Sequence, residues 1–114
     1  MLRTTGRRSG KRRSASLAYA RDGPDYVVVA SFGGADRAPG WLHNVQARPD
    51  VEVQVGRDRF RAVATVVHRG DADYDRLWRL VNEKSGGRYD RYQDKTLRPI
   101  PTVRLTPLAQ DQCA

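Results

Sequence analysis

The sequence has few residues that bind metals or form disulfides: its 114 residues include one cysteine and two histidines. The lone Cys113 excludes an intramolecular disulfide, and neither His43 nor His68 has a neighbour at metal-ligand spacing, so no metal site is expected. No apolar run reaches the ~20 residues that a transmembrane helix needs, and no apolar segment follows the basic start as in a secretory signal. The length suits one domain spanning 1–114, and these absences predict a cytoplasmic location.

Acidic residues are absent from the first thirteen positions, whereas six of the 21 basic residues lie there. The rest of the chain has 15 basic and 13 acidic residues, so most of the net charge of +8 is local to the N-terminus. A partner with several negative charges is therefore expected to bind near this end of the chain.

The stretch Thr4–Arg13 has the composition of an anion-binding loop. Gly6 and Gly10 let the backbone turn and bring its N–H groups close to a ligand. Further donors come from the side chains of Thr4, Thr5, Arg7, Arg8, Ser9, Lys11, Arg12 and Arg13. The same residues also suit a disordered basic arm that binds any polyanion, and the stretch alone does not decide between the two.

Apolar patterning beyond residue 15 predicts a mainly β fold with helices, in which two hairpins precede an amphipathic helix. The run 26–31 is continuous and β-branched, which is typical of a strand buried on both faces. The predicted elements are strands at 15–21, 26–31, 51–55 and 60–67, helices at 39–47, 71–84 and 88–94, and a last strand at 100–105. This order favours a small single-domain β-barrel with helical crossovers.

Five motifs follow one another in an order that is more informative than any one of them. They are Thr4–Arg13 (TTGRRSGKRR), Val29–Asp36 (VASFGGAD), Pro39–Asn44 (PGWLHN), Arg48–Val53 (RPDVEV) and Tyr89 through Ile100-Pro101. In this arrangement the chain resembles the deazaflavin-dependent nitroreductase family over nearly its whole length. The chain begins inside the first motif, so its N-terminus is expected to be short for the family.

The resemblance implies a split β-barrel of the FMN-binding-like type and a specific chemistry. Members use reduced coenzyme F420, an 8-hydroxy-5-deazaflavin, to reduce small hydrophobic quinones and nitroaromatic acceptors. A deazaflavin is a hydride carrier, so the protein has to fix the ring and place a proton donor near the acceptor. The resemblance also allows peripheral contact with the inner face of the cell membrane, and it implies no specific nucleic-acid partner.

The resemblance also assigns roles to residues of this sequence. Residues 1–13 become a basic cofactor loop, whose Arg7, Arg8, Ser9, Gly10, Lys11, Arg12 and Arg13 hold the phosphate and the glutamyl tail. Residues along or near the ring are Val28, Val29, Ala30, Ser31, Phe32, Gly33, Gly34, Pro39, Gly40, Trp41 and Asn44. Catalytic candidates are Ser31, whose hydroxyl and adjacent amides would stabilise a developing oxyanion, and the pocket tyrosines Tyr89 and Tyr92, one of them a proton donor.

Three positions depart from the family pattern. Phe32 stands where a lysine is common, Gly86 where a further pocket tyrosine is common, and Lys95 where an aromatic residue is common. These changes leave the predicted coenzyme contacts intact and bear on the range of acceptors.

Two other functions and several simpler residue roles remain open at this stage. The basic arm could serve a nucleic-acid binder, although no aromatic residue precedes Tyr19 to stack on bases. The barrel could instead bind FMN, although one phosphate does not need so many cations. Asn44 could tether a loop, Trp78 could serve the core alone, and Tyr89 with Tyr92 could merely cover the barrel mouth.

Overall fold

A computed structural model describes residues 2–5, 10, 12–31 and 39–108. Its strands are β1 (Leu2–Thr5), β2 (Arg12–Ala15), β3 (Ala20–Asp22), β4 (Asp25–Val29), β5 (Asp50–Val55), β6 (Asp58–Val67) and β7 (Thr102–Pro107). Its helices are α1 (Gly40–Ala47), α2 (Tyr74–Lys84) and α3 (Arg88–Asp94). The strands form one antiparallel sheet in the order β2-β1-β5-β6-β7-β4-β3.

The chain connection between β2 and β3 forces this sheet to curl. These two strands lie at opposite edges of the sheet, yet only residues 16–19 separate them in sequence. A flat seven-stranded sheet would hold its edges about 29 Å apart at about 4.8 Å per strand. The step from Ala15 to Ala20 spans at most about 18 Å of extended chain. The sheet therefore bends into a half-barrel, which confirms the predicted mainly β architecture with helices.

The same constraint corrects the first predicted hairpin. We predict a strand over 15–21, but residues 16–19 form no strand, because they cross from one sheet edge to the other and leave the ladder. Only β3 pairs with β4, with Ala20 opposite Val27. The alternation of Leu17 and Tyr19 that suggests a strand comes from their packing against the core of the half-barrel.

Parts of the N-terminal stretch form strands, whereas the sequence predicts a basic loop over 1–13. Thr4 pairs with Arg13 and Thr5 with Arg12 in a β1–β2 hairpin, and β1 continues the sheet onto β5. The prediction of a loop throughout Thr4–Arg13, or of a disordered arm, is therefore wrong for residues 4–5 and 12–13. Burial alternates along β1 despite its charged surroundings, because Leu2 and Thr4 are buried while Arg3 forms an ion pair with Glu52.

Strand β4 separates two apolar clusters and is buried on both faces, as predicted. Val28 and Ala30 pack on the concave face of the sheet together with α1. Val27 and Val29 pack on the opposite face beneath α2 and α3. The region around the end of β4 is therefore where all three helices approach the sheet.

The helices lie close to their predicted positions. Pro39 occupies the N-cap of α1, and Gly86 and Gly87, both with positive φ, separate α2 from α3. Helix α2 begins at Tyr74 rather than residue 71, and β7 runs from Thr102 rather than residue 100. None of the helices in the described ranges is long and apolar enough to cross a membrane.

Tyr74 ties the start of α2 to the segment before β7, and its hydroxyl is expected to matter for stability. The Tyr74 hydroxyl donates a buried hydrogen bond to the carbonyl of Ile100, and burial raises the pKa of the phenol so that it keeps its proton. Tyr74→Phe removes that donor and is expected to lower the free energy of unfolding by about 1–2 kcal/mol in urea titration. Tyr26→Phe, at a half-buried tyrosine with no such bond to another described residue, is the control and should change stability less. Equal losses in the two variants would contradict the role of the bond.

Candidate active site

One cleft collects residues from four separate parts of the chain. It lies beside the segment that joins β2 to β3, between the end of β4, the start of α1 and one face of α3, and it holds about 430 Å³. Its lining residues are Ala15, Ser16, Leu17, Ala18, Val29, Ser31, Pro39, Gly40, Trp41, Arg88, Tyr89 and Tyr92. This volume falls in the usual range of small-molecule sites, about 300–1,000 Å³.

The end of β4 forms one wall of the cleft, and only alternate residues reach it. Side chains alternate across a strand, so Val29 and Ser31 line the cleft while Val28 and Ala30 face the core of the half-barrel. The backbone N–H of Ala30 is bonded to the carbonyl of Pro101. Val28 and Ala30 therefore do not line this cleft, and the Ala30 amide already has a partner, so their contact with the coenzyme stays a prediction.

The first turn of α1 forms a second wall. Pro39, Gly40 and Trp41 line the cleft, and a Cβ atom added at Gly40 would meet nothing within 4 Å. Asn44 lies one turn further along, where it is buried away from the cleft, and its Nδ2 donates to the hydroxyl of Thr4 at 3.1 Å. Asn44 thus ties α1 to β1, and the Thr4 hydroxyl acts as an acceptor in this bond. Contact of Asn44 with the coenzyme stays a prediction.

Helix α3 supplies the third wall through two tyrosines on one face. The rings of Tyr89 and Tyr92 meet edge to face with centroids 5.9 Å apart. Tyr89 is buried and Tyr92 half-buried, and neither hydroxyl hydrogen-bonds to another residue in the described part of the chain. Burial raises the pKa of Tyr89, so its hydroxyl stays protonated at neutral pH. Two phenolic donors are thus available beside the cleft.

Asp90 fixes α3 against α2, and the sequence gives no sign of this role. Its carboxylate accepts hydrogen bonds of 2.8 Å from the indole Nε1 of Trp78 and from the amide of Asn82. The Asp90 backbone N–H returns a bond to the side-chain oxygen of Asn82. Trp78, predicted to serve the core alone, therefore also helps to hold the helix that carries the cleft tyrosines.

Several predicted coenzyme contacts cannot be compared with this cleft. Arg7, Arg8, Ser9, Lys11, Phe32, Gly33 and Gly34 lie outside the described residues, as do the side chains of Arg12 and Arg13 on β2. Gly10 has a φ of +72°, the left-handed conformation expected of a turn glycine. The backbone after β2 runs directly into the cleft, because Ala15–Ala18 line it.

Two of the three departures from the family pattern have a structural explanation. Gly86 has a φ of +73° between α2 and α3, so a tyrosine there would be strained on this backbone. The ammonium of Lys95 lies 5.7 Å from the centre of the Tyr92 ring, within reach of a cation–π contact. A cation therefore takes the place of an aromatic neighbour at the edge of the cleft.

Sequence reasoning also missed Arg88, an exposed cation at the first position of α3 that lines the cleft. The two preceding glycines mark a helix start, and this position is the sequence signal that could have identified Arg88 as a candidate site residue. The walls together offer apolar and aromatic faces, the Ser31 hydroxyl and the Arg88 guanidinium. This set of donors suits a flat aromatic ring with polar edges.

Comparison with known proteins identifies the family. A family model described as F420H(2)-dependent quinone reductase matches residues 1–107. An F420H(2)-dependent quinone reductase of Mycobacterium tuberculosis (strain ATCC 25618 / H37Rv) is 53% identical over 106 residues, which cover 93% of this chain and 71% of the relative.

Two solved structures share the fold at 34% identity. An F420-H2 dependent reductase superposes with a TM-score of 0.79, covering 91% of this chain and 90% of the other. A chain described as a domain-swapped dimer gives a TM-score of 0.80, covering 91% of this chain and 76% of the other. These similarities confirm the predicted split-barrel fold, the coenzyme and the hydride-transfer class. The chain belongs to the F420H(2)-dependent quinone reductase family and is an oxidoreductase that depends on reduced coenzyme F420.

Proposed function

We propose that the cleft between β4, α1 and α3 is the active site, where reduced coenzyme F420 and a small hydrophobic quinone meet. The observation that carries this proposal is that seven predicted site residues line this one cleft, although they are spread over three separate elements: Val29, Ser31, Pro39, Gly40, Trp41, Tyr89 and Tyr92. Bound reduced coenzyme F420 supplies a hydride. The chain's own residues must hold the ring, exclude water and provide the proton that completes reduction of the acceptor.

Within the proposed site, each wall has a separate task. Trp41 and Val29 offer apolar surface to the ring, while the Ser31 hydroxyl donates to a polar edge or to the oxygen that becomes negative on the acceptor. Tyr92 is the proposed proton donor, because it lies on the half-buried side of the tyrosine pair, and Tyr89 supports its ring. Reduction of a quinone by one hydride and one proton gives the quinol, and nitroaromatic compounds are proposed as further acceptors.

The basic N-terminal segment is proposed to hold the phosphate and the glutamyl tail of the coenzyme. Arg12 and Arg13 lie on β2, three and two residues before Ala15, where the segment Ala15–Ala18 enters the cleft. With Arg7, Arg8 and Lys11 they form the part of the chain with the highest density of positive charge. A ligand in the cleft could therefore extend an anionic tail along this segment, which contains no acidic residue that would repel it.

The test is a fluorescence titration of the protein with oxidised coenzyme F420, in parallel with FMN and a short single-stranded oligonucleotide. Arg12→Gln with Arg13→Gln should weaken coenzyme binding about 10-fold or more, since each charge-assisted bond is worth about 1.5–3 kcal/mol before solvent screening. The loss should grow with the length of the glutamyl tail. Arg57→Gln with Arg79→Gln is the matched control, because it removes the same charge from exposed positions outside the cleft.

Each arm of the titration has a distinct meaning. Coenzyme binding that the Arg12 and Arg13 changes weaken, and the control changes do not, supports the proposed tail site. Equal effects of the two double variants would show that only net charge matters and would contradict it. Preference for FMN or for the oligonucleotide would favour the alternatives that the sequence leaves open. Peripheral membrane contact stays a prediction.

A further inference from the structure

Gln93, near the end of α3, makes three hydrogen bonds to the backbone of the segment between α3 and β7. Its amide nitrogen donates to the carbonyls of Arg98 at 2.8 Å and Thr96 at 3.3 Å, and its amide oxygen accepts from the N–H of Ile100 at 3.0 Å. One side chain at the end of α3 thus fixes three backbone groups of the segment. Because Gln93 directly follows Tyr92, the position of this segment is linked to the tyrosine wall of the cleft.

Arg98 connects the same segment to the opposite wall. Its Nη1 donates to the carbonyl of Ala30 at 3.3 Å and its Nη2 to the carbonyl of Ser31 at 3.2 Å. The pairing of β4 with β7 ends at Val29 opposite Thr102, so these two carbonyls lie just beyond the last paired residue. The Ala30 N–H still bonds to the carbonyl of Pro101, and the planar guanidinium fork adds the hydrogen bonds to the two carbonyls.

We propose that Arg98, held in place by Gln93, is a positioning residue of the active site that sets Ser31 against Tyr92. This inference rests on the proposed function of the cleft. Arg98 does not line the cleft, so it acts through the residues that do. Tyr92 is joined to Gln93 by the peptide bond, and hydrogen bonds from Gln93 to the Arg98 carbonyl and from the Arg98 guanidinium to the Ser31 carbonyl link the two walls. A small change in the distance between the walls that carry Ser31 and Tyr92 alters the fit of a bound ring and the alignment of the proton donor with the acceptor.

Lysine cannot replace arginine in this role. Two carbonyls of consecutive residues are each bonded to a different nitrogen of one rigid group, whereas an ammonium is a single point on a flexible stem. Arg98→Lys should therefore keep the charge and lose the fixed geometry. Arg98→Met removes both donors, and Gln93→Leu releases the segment that carries Arg98.

The experiment measures coenzyme F420 binding by fluorescence, steady-state reduction of a soluble quinone and amide hydrogen exchange in the ligand-free protein. Arg98→Met is expected to weaken coenzyme binding at least 5-fold, lower kcat at least 10-fold and speed exchange at the Ala30 amide. Arg98→Lys should fall between Arg98→Met and the unchanged protein. Arg79→Met, at an exposed α2 position, should match the unchanged protein in every readout.

Two comparisons decide the outcome. If Gln93 acts through Arg98, the double variant Gln93→Leu with Arg98→Met should lose no more coenzyme affinity and turnover than Arg98→Met alone. Additive losses in the double variant would overturn the inference. A lowered melting temperature with unchanged binding, kcat and exchange at Ala30 would also overturn it, because that is the result of a purely structural bond. Should Arg98→Met fail to fold, Arg98→Lys tests the same role by the same readouts.

Failure of this inference can be told apart from failure of the proposed site. Trp41→Ala tests the cleft itself, since Trp41 lines it directly. Weaker coenzyme binding in Trp41→Ala, together with unchanged binding and turnover in both Arg98 variants, overturns the role of Arg98 alone. Unchanged binding in the Trp41 and Arg98 variants alike overturns both proposals.

Discussion

Tyr92→Phe is expected to lower the rate of quinone reduction about 100-fold while the affinity for coenzyme F420 stays the same. A positioned proton donor contributes about 10²–10⁴-fold to a rate, and this change removes the hydroxyl but keeps the ring and its edge-to-face contact with Tyr89. Rapid mixing of enzyme loaded with reduced coenzyme against a soluble quinone measures the step directly. Fluorescence titration measures the affinity.

The neighbouring tyrosine provides the comparison for that result. Tyr89 is more deeply buried than Tyr92 and packs against the ring of Trp78 at 6.3 Å between centroids. Tyr89→Phe should therefore change the rate less than Tyr92→Phe. A solvent deuterium effect on the rate should also shrink in Tyr92→Phe if its proton is the one transferred. A rate equal to that of the unchanged protein would reduce Tyr92 to a packing role.

The sequence groups those residues of the candidate site that lie close together along the chain. Pro39, Gly40 and Trp41 follow one another at a helix start, and Tyr89 and Tyr92 share a face of a short helix, so local periodicity is enough to group them. The family resemblance then relates these groups to one ligand. The cleft that they form is consistent with that relation.

The residues that hold the walls in place could not be predicted in the same way. Arg98 reaches carbonyls 67 and 68 positions earlier in the chain, and Asp90 binds side chains 8 and 12 positions earlier. A charged residue in an exposed-looking segment has the same local pattern whether or not it has such a partner. Only the folded arrangement of α2, α3 and β4 identifies the partner.

In the N-terminal hairpin, the high positive charge of the sequence obscures a weaker strand pattern. Arginines dominate the stretch Thr4–Arg13 and suggest a loop, yet β1 takes its place in the sheet because Leu2 and Thr4 alternate toward the core. Arg3 is accommodated on the outer side by Glu52 and Gln54. The charge of this segment therefore does not predict its conformation, and the anion binding that it suggests stays a prediction.

Leu77→Ala is expected to lower the free energy of unfolding by about 3 kcal/mol, more than the loss expected for Tyr74→Phe. Leu77 lies on α2 and is 0% exposed in the cluster that joins this helix to the sheet. Removing its side chain deletes buried apolar surface and leaves a cavity that the neighbouring Val27 and Ile100 can fill only in part.

Leu97→Ala is the matched control, since it deletes the same atoms at a side chain that is 100% exposed. It should change stability by less than about 0.5 kcal/mol. Urea titration of both variants separates burial from the chemistry of the substitution. Because α2 carries the Trp78 and Asn82 groups that hold Asp90, Leu77→Ala should also weaken coenzyme binding, whereas Leu97→Ala should not. Equal stability losses would contradict the packing of α2 on the sheet, and a destabilised Leu77→Ala protein with unchanged coenzyme affinity would contradict the dependence of the cleft on this helix.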